Sequence, residues 1–136
     1  MTAPAATPER AAVMRAVRRR DTGPELAVRR LVRAIRTGYR LDARGLPGRP
    51  DIAFTRTRHA IFVHGCFWHG HDCARGARAP KANAAYWAAK IARNRARDAA
   101  ALTALTAAGW TAMVVWECAL RDEQAIAASL AAFLDA

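Results

Sequence analysis

Apolar and polar positions divide the chain into alternating helical and extended stretches. Residues 1–8, rich in Ala, Pro and Thr, lack the apolar content to fold. Pro8 to Arg19 has helical composition and carries Arg10, Arg15, Arg18 and Arg19, with Arg20 following. The turn Asp21-Thr22-Gly23-Pro24 interrupts this arm, and Pro24-Glu25 opens a helix with apolar positions Leu26, Leu31 and Ile35 between arginines. It is expected to end near Thr37-Gly38. A short strand is predicted over Tyr39 to Leu41, then a turn over Leu46 to Pro50. Asp51 to Phe54 and Ala60 to Val63 read as two strands of a hairpin through Thr55 to His59. His64 to Lys81 has no sustained period, so it is an irregular loop that needs an outside source of order, such as a metal. A long helix from Asn83 to Ala108, a strand from Trp110 to Glu117 and an Ala-rich helix from Asp122 to Leu134 complete the chain.

The resulting order, αβββαβα, predicts an α/β fold in which a mixed sheet is covered on both faces by helices. A length of 136 residues suits one domain, residues 21–136, preceded by a flexible basic arm, residues 1–20. The longest apolar runs, Ala99 to Leu102 and Ala112 to Trp116, are too short to cross a bilayer, so no membrane contact is expected. The opening MTAPAATPERAAVMR lacks the apolar core of a secretory signal. A reducing cytoplasm is therefore expected, where three cysteines serve as metal ligands or buried thiols rather than disulfides.

Charge then narrows the partner. The 22 Lys and Arg exceed the 11 Asp and Glu, a net +11 that suits a polyanion such as nucleic acid. All but Lys81 and Lys90 of these bases are Arg; codon bias can set that ratio but does not supply net charge.

Candidate chemistry concentrates between residues 51 and 118. Cys66-x4-His71-x-Cys73 places three borderline ligands within eight residues, and Cys118 ends a predicted strand where it can supply a fourth. Four protein ligands close a tetrahedral zinc site, making it structural; spacing alone leaves His69 and His71 both open as the ligand. Asp51, after Pro50 at a strand start, can face a hard cation such as Mg²⁺, although a lone Asp there is more often a turn residue. His64 and His69 lie close enough in sequence to serve it as acid or base. On the long helix Trp87, Ile91, Asn94, Asp98, Leu102 and Leu105 form one inward stripe, so Asp98 needs a buried partner, structural or catalytic. Glu25 reads on sequence alone as an acid favoured by its helix N-terminus. Phe67-Trp68, an aromatic pair in a Gly-flanked loop, suits either a wedge between bases or a small core around the zinc, and Met14 in the basic arm is equally ambiguous.

Together these residues resemble the very short patch repair endonuclease family, whose members nick beside T:G mismatches left by deamination of 5-methylcytosine. The similarity runs from about Met14 to Leu120. It rests on MRAVRRRDTGPE (14–25), GYRLDARGLPGRPDIAF (38–54), AIFVHGCFWHGHDC (60–73), PKANAAYW (80–87), KIARNRARD (90–98) and GWTAMVVWECAL (109–120). The resemblance implies a restriction-endonuclease-like core and a structural zinc on Cys66, His71, Cys73 and Cys118. It also implies a Mg²⁺ site at Asp51, joined by the backbone carbonyl of Val63. By the same likeness His69 is the base, with His64, Glu25 and Asp98 in support, and Phe67, Trp68 and Met14 intercalate beside the mismatch. Where many nucleases carry acid-x-Lys, this chain has Phe62-Val63-His64, as the family does; some relatives place Thr at the position of Val63. The expected substrate is double-stranded DNA with a T:G mismatch, cut by a monomer that hands its product to mismatch-repair proteins. A zinc-stabilised DNA-binding module without catalysis is the alternative. A zinc hydrolase of small molecules is more remote, because four protein ligands deny it an open position.

Overall fold

The computed structural model describes residues 22–69, 71, 73 and 82–135. The basic arm, Met14 included, lies outside the described residues. The elements are α1 (Gly23–Ile35), β1 (Arg40–Leu41), β2 (Ile52–Phe54), β3 (His59–His64), α2 (Ala84–Ala107), β4 (Thr111–Trp116), a 3₁₀ turn (Glu117–Arg121) and α3 (Glu123–Asp135). No described helix is long and apolar enough to cross a membrane.

The four strands lie in the order β1-β2-β3-β4. β2 pairs antiparallel with β1 and β3, whereas β3 and β4 are parallel, from His59↔Thr111 to His64↔Trp116. A parallel pair needs a crossover, and α2 supplies it. Side chains alternate between the faces of the sheet. One face carries Ile52, Phe54, Ile61 and Val115 against Val28 and Val32 of α1 and Leu130 and Leu134 of α3. The other carries Ala60 and Phe62, with Ala112 and Val114, against Leu102 and Leu105 of α2. Each fully buried aliphatic side chain contributes roughly 1.5–3 kcal/mol, so both helix layers are anchored through the sheet. The same alternation sends Asp51, Phe62 and His64 toward α2.

Two expectations are corrected. The buried stripe of α1 is Val28 and Val32, with Leu31 packed beside them, whereas Leu26 and Ile35 are exposed. The face that meets the sheet decides burial, and the larger aliphatic residues are not all on it. β4 stops at Trp116, and Glu117 begins the 3₁₀ turn instead of ending the strand.

The approach to Asp51 is fixed by Gly48, which has φ +75°. A Cβ there would stand 2.6 Å from the Cβ of Ala101 on α2 and 3.1 Å from the Phe62 ring. Gly48→Ala therefore combines left-handed strain with a collision against a helix, an expected loss of about 2–4 kcal/mol. Thermal melts check this. Adding Ala101→Gly should recover part of the loss, and a wild-type melting temperature in the single variant would refute the packing account.

Candidate active site and metal centre

A cleft of about 620 Å³ opens between α1, the ends of β2 and β3, and α2; its lining includes Glu25, Asp51, His64, Trp68, His69 and Asp98. Val63 and Phe67 border it as well. Every described residue expected to serve catalysis or a wedge is thus brought to one place.

Asp51 precedes β2, and its Oδ2 accepts the Val63 backbone N–H at 2.7 Å. Burial, opposed by that hydrogen bond, pushes its carboxyl up to about 6, and the neighbouring carboxylates Glu25 and Asp42 push in the same direction. Arg29 works against them and holds Glu25 at 3.6 Å across one helical turn. A half-buried carboxylate beside two others is a donor set suited to a hard divalent cation, which would reverse the repulsion.

The imidazoles form a second unit. His69 Nδ1 and Asp98 Oδ2 are 2.6 Å apart. Asp98 is half-buried on α2, and among the described residues its ionic partner is His69. A carboxylate accepting from Nδ1–H leaves the Nε2 lone pair of a neutral His69 free to take a proton. His64 stacks on His69 with ring centroids 3.8 Å apart and planes 2° apart. Burial, and next the positive form of His69, bring His64 down to about 4, so it is neutral near pH 7. Its Nδ1 is buried without a hydrogen-bond partner among the described residues.

Asn94 is buried on the same face of α2 and donates from Nδ2 to the Trp68 carbonyl at 2.7 Å, while Arg97 donates to its Oδ1. This fixes the turn bearing Phe67 and Trp68, whose rings pack edge-on against each other and against Trp87. Both rings remain partly exposed in the cleft wall.

Cys66, His71, Cys73 and Cys118 each present a ligand atom, all within 4.8 Å of one another. Parallel pairing of β3 with β4 carries on past the strand ends and brings the Cys118 N–H to Cys66 Sγ at 3.4 Å. Cys118 Sγ lies 3.6 Å from His71 Nδ1, which matches the sulfur–nitrogen separation of about 3.6 Å expected between a Cys and a His ligand at a tetrahedral zinc. Without a metal, burial and the adjacent thiols push Cys66 up to about 12, opposed by the Cys118 N–H. Taking up a cation therefore means releasing protons. The chemistry of this donor set fits zinc, and its completeness leaves no protein-free corner for substrate.

Trp116 escaped the sequence reading, and it joins the two units. It stacks on His71 with centroids 4.2 Å apart and meets His64 edge-on at 5.1 Å. Glu117, Arg49 and Arg97 also line the cleft unforeseen. An isolated acid at a strand end and arginines among many give no periodic or motif signal. Arg49 alone had one, its place in a Pro-Gly turn beside Asp51.

The model of the family described as DNA mismatch endonuclease Vsr matches residues 5–75. The chain is 49% identical over 123 residues to the type II nicking enzyme V.XorIIP of Xanthomonas oryzae pv. oryzae, covering 90% of each. It is 37% identical over 117 residues to the type II nicking enzyme V.NmeAIP of Neisseria meningitidis, covering 86% of this chain and 83% of that one. It is 39% identical over 111 residues to the DNA mismatch endonuclease Vsr of Escherichia coli, covering 82% and 70%. With its mixed sheet, restriction-endonuclease-like core and single shared cleft, the chain belongs to the DNA mismatch endonuclease Vsr family of DNA repair endonucleases.

Proposed function

We propose that the chain hydrolyses one phosphodiester bond 5′ to the thymine of a T:G mismatch, leaving the nick that starts very short patch repair. The observation that carries this reading is the meeting, in one cleft, of the Asp51 carboxylate, the His69–Asp98 pair and the Phe67–Trp68 turn. Mg²⁺ held by Asp51 and the backbone carbonyl of Val63 would supply the positive charge that phosphate hydrolysis needs at the phosphoryl and leaving oxygens. His69 takes the proton of the attacking water at Nε2, and Asp98 holds its ring in the required tautomer. His64, neutral and stacked on His69, keeps that ring from turning and offers a hydrogen bond to the phosphate. Glu25 supports the Asp51 carboxylate from α1.

Phe67, Trp68 and Met14 act as wedges beside the mismatch, where unstacking costs a few kcal/mol and is cheapest at a mispair. Zinc on Cys66, His71, Cys73 and Cys118 serves as the structural tie of the loop that carries wedge and base. The partner is mismatched duplex DNA, bound by a monomer, with mismatch-repair proteins acting on the product.

A duplex labelled on each strand and carrying one T:G pair tests this. With Mg²⁺ a single cut in the thymine strand is expected, with none in EDTA and none in the T:A duplex. Mismatch binding without any product would favour the non-catalytic module, and equal cutting of the T:A duplex would remove the specificity.

A further inference from the structure

On the flank of α2 a second concavity of about 460 Å³ is lined by Lys90, Arg93, Asn94, Ala96 and Arg97. Asn94 and Arg97 line the active cleft as well, so the two hollows form one surface. Three cations and no carboxylate border the smaller one. At about 100° per residue, positions 90, 93 and 97 fall within a sector of roughly 60°. Arg95, on the same helix, projects about 140–160° away from them.

Resting on the reading of the cleft as a phosphodiesterase site, we propose that Arg93 and Arg97 form a subsite for a backbone phosphate of DNA within about two nucleotides of the cleaved bond. Arg93 stands five residues from Asp98, the partner of His69. The link is Arg97, which lines both hollows: Arg93 lies one turn from it, about 6 Å along the helix and about 40° around it, and one strand of a duplex advances about 3.4 Å per nucleotide. Guanidinium forks match the oxygens of a phosphodiester, and a phosphate carries no base identity, so the subsite fixes register rather than sequence. Arg97 also donates to Asn94, which holds the Trp68 carbonyl, so the phosphate and the wedge turn share one support.

Salt-dependent binding tests the proposal, measured in EDTA on a duplex with one T:G pair and on its matched counterpart. Arg93→Ala should reduce the slope of log K against log salt by about 0.9 on both duplexes, with Arg95→Ala leaving it in place. Arg97→Ala also loosens Asn94, so the exposed Arg93 carries the decision, with an unchanged melting temperature as the folding control. In the second arm single phosphates are replaced by methylphosphonate. One replacement within two nucleotides of the nick should weaken wild-type binding and be silent in Arg93→Ala. A wild-type slope in Arg93→Ala, an equal fall in Arg95→Ala, or no silent position overturns the subsite. A reduced slope in a protein that neither prefers T:G nor nicks would leave the subsite standing and bring down the cleavage reading.

Discussion

Asp51→Asn is expected to lose nicking by about 10³-fold or more and, in EDTA near neutral pH, to melt about 5–10 °C above wild type. Both effects come from one carboxylate. Its folded value of about 6 lies above the unfolded value near 4, so the folded state holds the proton more tightly. Between these values the folded protein binds more protons than the unfolded chain, and stability falls as pH rises through the window. The full penalty, about 3 kcal/mol, applies above pH 6 and vanishes below about pH 4. Asn keeps an oxygen for the Val63 N–H and removes the charge. The gap in melting temperature should therefore close on acidification toward pH 4, and millimolar Mg²⁺ should raise the wild-type melt but not the variant's. A variant no more stable than wild type at pH 7.5, or one that still nicks, would contradict the assignment of Asp51.

Cys118→Ser should reduce bound zinc from one per chain to near zero and lower stability by about 5 kcal/mol or more, a large share of what a domain of this size possesses. Cys118 is a favourable position for this test because it is only partly buried, so the lost sulfur itself removes little packing. Nicking should fall with the metal: His71 stacks on Trp116, and Trp116 borders His64. Elemental analysis with thermal melts measures both. Unchanged zinc would mean that the ligand set is wrong, and full activity without zinc would mean that it is no clamp.

Much of this was legible in the sequence. Short continuous apolar runs in Ile52–Phe54 and His59–His64, buried on both faces of the sheet, and the long stripe of α2 carry the fold. Asp98 was legible as a group needing a partner, but not His69 as that partner, since a contact spanning 29 residues depends on how α2 crosses the sheet. The outer positions of α1 were misread because Leu26 outranks Val28 in apolarity while packing against α3 favours the latter. Trp116 and Glu117 were invisible because their roles arise from the register of β3 with β4, which exists only in three dimensions.

The contacts that build the cleft and the Cys/His cluster differ in how much chain each must close. The Asp51–Val63 contact closes over 12 residues and is available as soon as the hairpin forms. His69–Asp98 spans 29 residues, and Cys118–Cys66 spans 52. Longer loops carry a larger closure cost and form later. On the proposed roles, the carboxylate assigned to the metal is in place first, the base joins it only when α2 docks, and the Cys/His cluster closes last. Under that reading, cutting competence arises only after α2 and β4 have joined the hairpin.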